Sequence, residues 1–365
     1  MRKKAKINKK ITIKKIMLVI ITTIIFLVVA EILFRVIYVD EQESLKQTAN
    51  KQFYKTNNLI LAYNSLDDIP GINMKKYGET DNIYFKANNT IRVLVLGDSV
   101  AKGYLLNKTF SEFLSEKLNR DTKLNNGISA YEVINLGITG YTTIQESELL
   151  KEEGVKYKPD IILLTYVMND PLIFSGTKYL LTKKEMDKRS EIINDLIDAP
   201  LKCKIRTFFQ KSYFIYKTRT VDFLFSPITR FEKLHTLDIL KLENNPDFYK
   251  YIHNDICAWK QVQYSFYEIS KISKKEEVPV ILVIFPVNFI GENWIYKYPL
   301  ADLHKKVIEE GLKNRFMILD LLETYKKYNP EELRSKNIDT IHPNELGHEL
   351  AANEIYKKLK SEKLI

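Results

Sequence analysis

Apolar positions along this chain fall into two patterns. One is a single long run near the N-terminus. The other is a repeat of short aliphatic runs separated by stretches with apolar residues at helical spacing. The short runs are 91–96, 132–136, 160–167, 278–285 and 316–320, and each reads as a buried strand. Between them the spacing predicts helices. One carries Phe110, Phe113, Leu114 and Leu118, and one opens near Thr143 with Glu146 placed as its capping-box partner. Others cover 256–275 and 301–313, and a last one opens near Pro343, a residue suited to the first helical turn. Five strands alternating with helices predict an α/β fold, a three-layer α/β/α sandwich on a parallel sheet. The alternation lapses between about 171 and 255, far more than a crossover needs, so that stretch reads as a helical insertion.

The long run starts at Ile16 and continues to Val39. Its 24 residues are enough to cross a bilayer core, which needs ~20. Glu31 and Arg35 interrupt it four residues apart, a spacing at which they can pair on a helix. Before it stand Arg2, Lys3, Lys4, Lys6, Lys9, Lys10, Lys14 and Lys15 with no acid among them, a flank that stays in the cytoplasm. The expected layout is a basic tail at 1–15, a transmembrane anchor at 16–39, a linker and irregular prelude at 40–90, and an extracytoplasmic domain at 91–365. A cleaved signal peptide is the competing reading, but Val28-Val-Ala30 is a poor small-x-small cleavage site.

Net charge is +10 over 365 residues, but eight of those positives lie in the tail, leaving about +2 for the rest. The basic balance therefore describes a tail and gives no reason to expect nucleic acid as a partner. Cys203 and Cys257 stand apart with no C-x-x-C, so zinc is not expected, and their spacing does not decide whether they pair. Within the insertion, 202–233 carries eight Lys/Arg and eight Phe/Tyr against two acids. That composition suits a cap, a surface lying against a membrane, or amphipathic helices with basic outer faces.

Chemistry-bearing residues cluster at strand ends. Gly97-Asp-Ser-Val100 follows the first strand, placing Ser99 at the edge where parallel sheets keep their chemistry. A plain helix N-cap is the structural alternative. Acyl transfer by a serine also needs a base, a group that holds the base, and donors for the oxyanion. Asp339-Thr-Ile-His342 can bring a carboxylate onto the imidazole, although an isolated D-x-x-H is a weak signal. Asn169, in Met168-Asn-Asp170, offers a side-chain amide or closes an Asx-turn. Gly140 offers an unobstructed backbone N–H or simply a turn glycine. The remaining histidines, at 235, 253, 304 and 348, form no ligand spacing and read as ordinary surface or core residues.

As a set, Gly97-Asp-Ser-Val100, Asn135-Leu-Gly-Ile-Thr-Gly140, Met168-Asn-Asp170 and Asp339-Thr-Ile-His342-Pro343 resemble the four blocks of the SGNH (GDSL-type) hydrolases. The resemblance covers roughly 91–170 and 278–360. It implies a flavodoxin-like fold and no metal or organic cofactor. It implies Ser99 as nucleophile, His342 as general base and Asp339 as its partner. The oxyanion hole would be Ser99, Gly140 and Asn169, with Gly137 the lesser candidate. Val167 stands where the third block usually has glycine, a change that would crowd the backbone beside Asn169 and narrow the acyl pocket. An anchor before such a domain is similar in architecture to proteins that add or remove acyl groups on bacterial surface glycans. The expected function is a membrane-anchored serine esterase or O-acyl, above all acetyl, hydrolase or transferase. Its rivals are a lipid esterase at the membrane surface and a non-catalytic polysaccharide-binding subunit that recruits a membrane acyltransferase.

Overall fold

A computed structural model describes residues 2–37, 53–65, 84–103, 106–121, 128–172, 181, 183–211, 244–289, 298–335 and 339–365. In chain order these form α1 (Arg2–Ile37), β1 (Phe53–Lys55), β2 (Tyr63–Ser65), β3 (Thr90–Leu96), α2 (Ser99–Lys102), α3 (Phe110–Asp121), β4 (Ala130–Asn135), α4 (Thr143–Glu152) and β5 (Ile161–Tyr166). There follow α5 (Lys183–Leu196), α6 (Leu201–Gln210), α7 (Pro246–Asn254), α8 (Ile256–Glu276), β6 (Val280–Ile284), α9 (Ala301–Lys313), β7 (Met317–Asp320), α10 (Leu322–Tyr325), α11 (Pro330–Leu333) and α12 (Glu345–Ser361).

The five expected strands make one parallel sheet in the order β4-β3-β5-β6-β7. Counted from the first strand of the sheet, that is 2-1-3-4-5, the doubly wound order whose ligand crevice opens where the strand order reverses. Right-handed crossovers put α3 and α12, which pack on each other, on one face, and α4, α8 and α9 on the other. Burial on both faces explains the unbroken aliphatic runs: Val93 to Leu96, Ile161 to Leu164 and Val280 to Ile284 are all buried. Arg92 is the exception within β3. Its guanidinium stays buried because it pairs with Glu132, its register partner on β4, at 2.6 Å.

The strands shift by one or two residues at their ends, and two helix starts differ from the sequence reading. The capping box of α4 sits one residue earlier than expected. Thr142 is the N-cap and Gln145 its partner, and the Thr142 N–H and hydroxyl donate to Gln145 Oε1 at 3.3 and 3.2 Å. Pro343 lies outside the last helix, in a bridge with Arg334, because the Asn344 side chain accepts from the Gly347 N–H and caps α12 there. The insertion is helical where it is described, with α5, α6 and α7, and 212–243 lie outside the described residues. Part of the expected prelude forms the antiparallel pair β1–β2, and 66–83 lie outside the described residues.

Helix α1 carries exposed apolar side chains from Ile16 to Val29. Among the described residues no helix is long and apolar enough to cross a membrane. The uncharged run with described side chains ends at Ala30, and the expected span to Val39 lies partly outside the described residues.

Gly97 lets β3 turn into α2 in close contact with β5. A β-carbon there would stand 1.8 Å from Thr165 Oγ1 and 2.6 Å from Ala101 Cβ. Thr165 cannot simply swing away, since its hydroxyl donates to the Leu96 carbonyl at 2.9 Å. Gly97→Ala is therefore expected to destabilise the fold by ~1–3 kcal/mol, read as a melting temperature lower by several degrees. An unchanged melting temperature would contradict this packing.

Candidate active site

The carboxyl ends of β3, β4 and β5, three neighbours in the sheet, each lead into one of the sequence-predicted blocks. After β3, Asp98 caps α2 by accepting the Val100 N–H on Oδ1 at 2.8 Å. Ser99 is thereby the first residue of α2, 7% exposed, and its own N–H has no partner among the described residues. After β4, Asn135 ties the next turn to α2. Its Nδ2 donates to the Ala101 carbonyl at 2.6 Å and to Ser111 Oγ at 3.1 Å, and its Oδ1 accepts the Gly137 N–H at 2.9 Å. That separates the two glycines. The Gly137 N–H is committed to Asn135, while Gly140 has φ +78° and an N–H with no partner among the described residues.

After β5 the chain makes a tight turn, with the Asp170 N–H donating to the Val167 carbonyl at 3.0 Å and the Val167 N–H to Asp170 Oδ2 at 3.1 Å. Asp170 thus supplies the Asx-type closure that the sequence left open for the pair, and Asn169 is spared it. The Asn169 Oδ1 is buried without a partner, and its Nδ2 takes none among the described residues. Val167 is 1% exposed and its side chain belongs to the main core.

The loop before α12 completes the group. His342 Nε2 lies 2.7 Å from Ser99 Oγ, and His342 Nδ1 lies 2.8 Å from Asp339 Oδ2 and 3.0 Å from Oδ1. The spacing works because Asp339 Oδ1 also accepts the His342 and Ile341 N–H groups at 3.0 and 3.2 Å, folding the loop back on its own carboxylate. The Ser335 N–H to His342 carbonyl and Asn288 N–H to Thr340 carbonyl bonds, at 3.0 and 2.7 Å, hold the loop from either side. With Nδ1–H donated to the carboxylate, Nε2 is left to accept the serine proton. Burial alone would raise the Asp339 carboxyl, but the His342 ring and the two N–H groups outweigh it and hold it below the usual carboxylate range.

The sequence model of the GDSL-like lipase/acylhydrolases matches residues 93–355, most of the chain and all four blocks. The chain belongs to the GDSL-like lipase/acylhydrolase family. It is accordingly a hydrolase of ester bonds. No curated protein matches it in sequence. Among solved structures it is similar to a lipase/acylhydrolase from Enterococcus faecalis, at 15% identity and TM-score 0.37, over 74% of this chain and 96% of that one. It is also similar to the acetylxylan esterase Axe2 from Geobacillus stearothermophilus, at 14% identity and TM-score 0.39, over 74% and 94% of the two chains. A putative acylhydrolase from Bacteroides fragilis gives 15% and 0.38, over 80% and 97%.

This GDSL-like hydrolase also holds a group of buried carboxyls that the sequence did not signal. Asp98, Glu146 and Asp170 are 2%, 0% and 3% exposed, and each feels the field of at least one of the others. Among the described residues neither Glu146 oxygen has a hydrogen-bond partner, nor has Asp170 Oδ1. Burial is the main cause that raises all three carboxyls; Asp98 adds to it at Glu146, and Glu146 and Asp98 add to it at Asp170. Glu146 had been legible only as a cap, and the one-residue shift of the α4 capping box is what frees it for the interior.

For an acid whose folded pKa is raised, the native state keeps its proton where the unfolded chain has lost it. Stability then falls as pH rises above the unfolded value of ~4.3. Glu146→Gln replaces one such group with a neutral amide that does not titrate. Its melting temperature relative to the parent is expected to climb as pH rises above the unfolded value; a difference independent of pH would contradict the reading.

The other described histidines are structural. His348 Nδ1 accepts the Phe110 N–H at 3.1 Å and is pushed down to about 3, by burial and then by His342. His253 Nε2 lies 3.0 Å from the Tyr166 hydroxyl, and His304 Nδ1 lies 2.9 Å from Asp320. His235 lies outside the described residues.

Proposed function

We propose that the chain is a membrane-anchored, extracytoplasmic serine esterase that removes short acyl groups, above all acetyl, from cell-surface glycans. The observation that carries the serine mechanism is the continuous relay from Ser99 Oγ through His342 to Asp339, with distances of 2.7 and 2.8 Å. Ser99 Oγ bonds to the ester carbonyl carbon as its proton passes to His342 Nε2. The oxyanion meets the N–H groups of Ser99 and Gly140 and the Asn169 amide. Collapse expels the sugar hydroxyl, which takes the proton back from His342. A water oxygen then bonds to the acyl carbon as its proton passes to the same nitrogen, and the bond from Ser99 Oγ to that carbon breaks as Oγ takes the proton back, releasing the acid.

Three observations support the finer parts of the reading. A nucleophile only 7% exposed favours a small acyl group over a long chain. Cys203 and Cys257 are joined in a disulfide, the state expected in an oxidising, extracytoplasmic compartment. The tail at 1–15, with its eight positive charges, precedes an apolar run from Ile16 to Val39 that suits an anchor with a cytoplasmic N-terminus. The linker at 40–90 then carries the hydrolase domain at 91–365.

The test is hydrolysis of nitrophenyl esters from acetyl to dodecanoyl by the full chain in detergent. The expected result is a rate highest for acetyl and falling with chain length. A dodecanoyl preference would move the assignment to a lipid esterase. Serine-dependent acylation without release into water would move it to a transferase, with a sugar or a partner acyltransferase completing the reaction.

A further inference from the structure

Each oxyanion donor of the proposed mechanism has a buried carboxyl close to it in the chain. Asp98 precedes Ser99, Asp170 follows Asn169, and the turn that carries Gly140 leads into α4, whose first turn holds Glu146. Two of these carboxyls hold a donor's turn in shape. Asp98 Oδ1 accepts the Val100 N–H at 2.8 Å and sets Ser99 at the head of α2. Asp170 Oδ2 accepts the Val167 N–H at 3.1 Å and closes the turn of Asn169. Glu146 has no such bond. It is fully buried, and among the described residues neither of its oxygens has a partner, nor has Thr143 Oγ1 three residues before it. A buried carboxylate that accepts nothing is costly enough for the group to keep its proton.

The neighbouring elements bring no cation onto it. Asp98 and Asp170 are acids within its field, and the positive charge that His342 acquires in turnover acts on Asp98. On β5, Tyr166 lies 3.0 Å from His253 Nε2, and burial pushes His253 down to about 3, so both are neutral. Helix α8, which packs on α4, has no charged side chain among its buried residues. On α5, whose Ile193 shares a core cluster with Ile144 of α4, Arg189 donates to the Ile60 carbonyl at 3.3 Å. We propose that Glu146 is a further positioning residue of the reaction and that turnover requires its proton. Once ionised, it repels Asp98 and Asp170 and disturbs the turns of Ser99 and Asn169. It also adds a negative charge that opposes the one the ester oxygen acquires. This rests on the oxyanion assignment given above.

The test is kcat for nitrophenyl acetate against pH, with the full chain in detergent and Ser99→Ala as the background. The parent rate is expected to rise as His342 loses its proton and then to fall about tenfold per pH unit on the alkaline side. Glu146→Gln and Glu146→Met are neutral replacements of similar length. Both are expected to keep the rise and to move the fall up by about one pH unit or more, so that the ratio of variant to parent kcat climbs with pH. Melting curves at each pH separate that fall from unfolding. A parent rate that stays level until the chain unfolds overturns the proposal, and so does a fall at the same pH in parent and variants. Failure of both variants to fold at neutral pH makes Glu146 a purely structural residue and also overturns it. Hydrolysis that survives Ser99→Ala overturns the serine reading and this inference with it, whereas the other outcomes leave the serine reading standing.

Discussion

Ser99→Ala is expected to lower ester hydrolysis by ~10⁴–10⁶-fold with the fold intact. The two halves of that expectation have separate causes. Activity is lost because no other hydroxyl is placed 2.7 Å from His342 Nε2 among the described residues. The fold survives because the cap of α2 is Asp98, through its bond from the Val100 N–H, and alanine is at home in a first helical turn. Steady-state hydrolysis of a short-chain ester, beside a melting curve, reads both. Residual activity within a few-fold of the parent would remove Ser99 from the mechanism, and a collapsed melting transition would mean that the serine also holds the turn.

His342→Ala is expected to cost about as much as Ser99→Ala, and Asp339→Asn less, at ~10²–10⁴-fold. Alanine leaves nothing to take the serine proton. Asparagine can keep an oxygen where Oδ1 now meets the His342 and Ile341 N–H groups and lies 3.0 Å from Nδ1, but a donor amide then replaces the oxygen that lies 2.8 Å from Nδ1 and the negative charge is lost. The loop itself stays supported through the Ser335 and Asn288 backbone bonds, so the ring remains near Ser99 part of the time. The comparison is made on kcat/KM across the three variants. Equal losses from Asp339→Asn and His342→Ala would mean that the carboxylate does more than orient the ring.

Some of this was legible because the chemistry sits where periodicity changes. Strands buried on both faces leave unbroken aliphatic runs, and the short segments that follow them, Gly97-Asp-Ser99, Gly137-Ile-Thr-Gly140 and Met168-Asn169, stand at the carboxyl ends where a parallel sheet opens. Asp339 and His342 could be paired on paper because a three-residue spacing closes within one loop. Other features depend on meetings that no local pattern encodes. Thr142 and Thr143 are adjacent and both can cap, and only packing of the Gln145 amide onto the Leu61 carbonyl at 2.8 Å chooses between them. That choice sends Glu146 into the interior beside Asp98 and Asp170. The union of Cys203 with Cys257 depends on how the insertion folds back on α8, and with it goes the orientation of α6. A helical wheel would have buried Leu201 and exposed Arg206; the disulfide and Asp255 impose the opposite.

The most direct measurement of the central claim is intact-mass and peptide mapping after reaction with a fluorophosphonate. The reagent forms a bond from phosphorus to an activated serine oxygen and expels fluoride. A single adduct is expected, on the peptide that contains Ser99, formed at a rate matching the loss of esterase activity and absent from both Ser99→Ala and His342→Ala. Complete loss of activity with the adduct on a different residue, or undiminished hydrolysis by a chain fully labelled at Ser99, would contradict it.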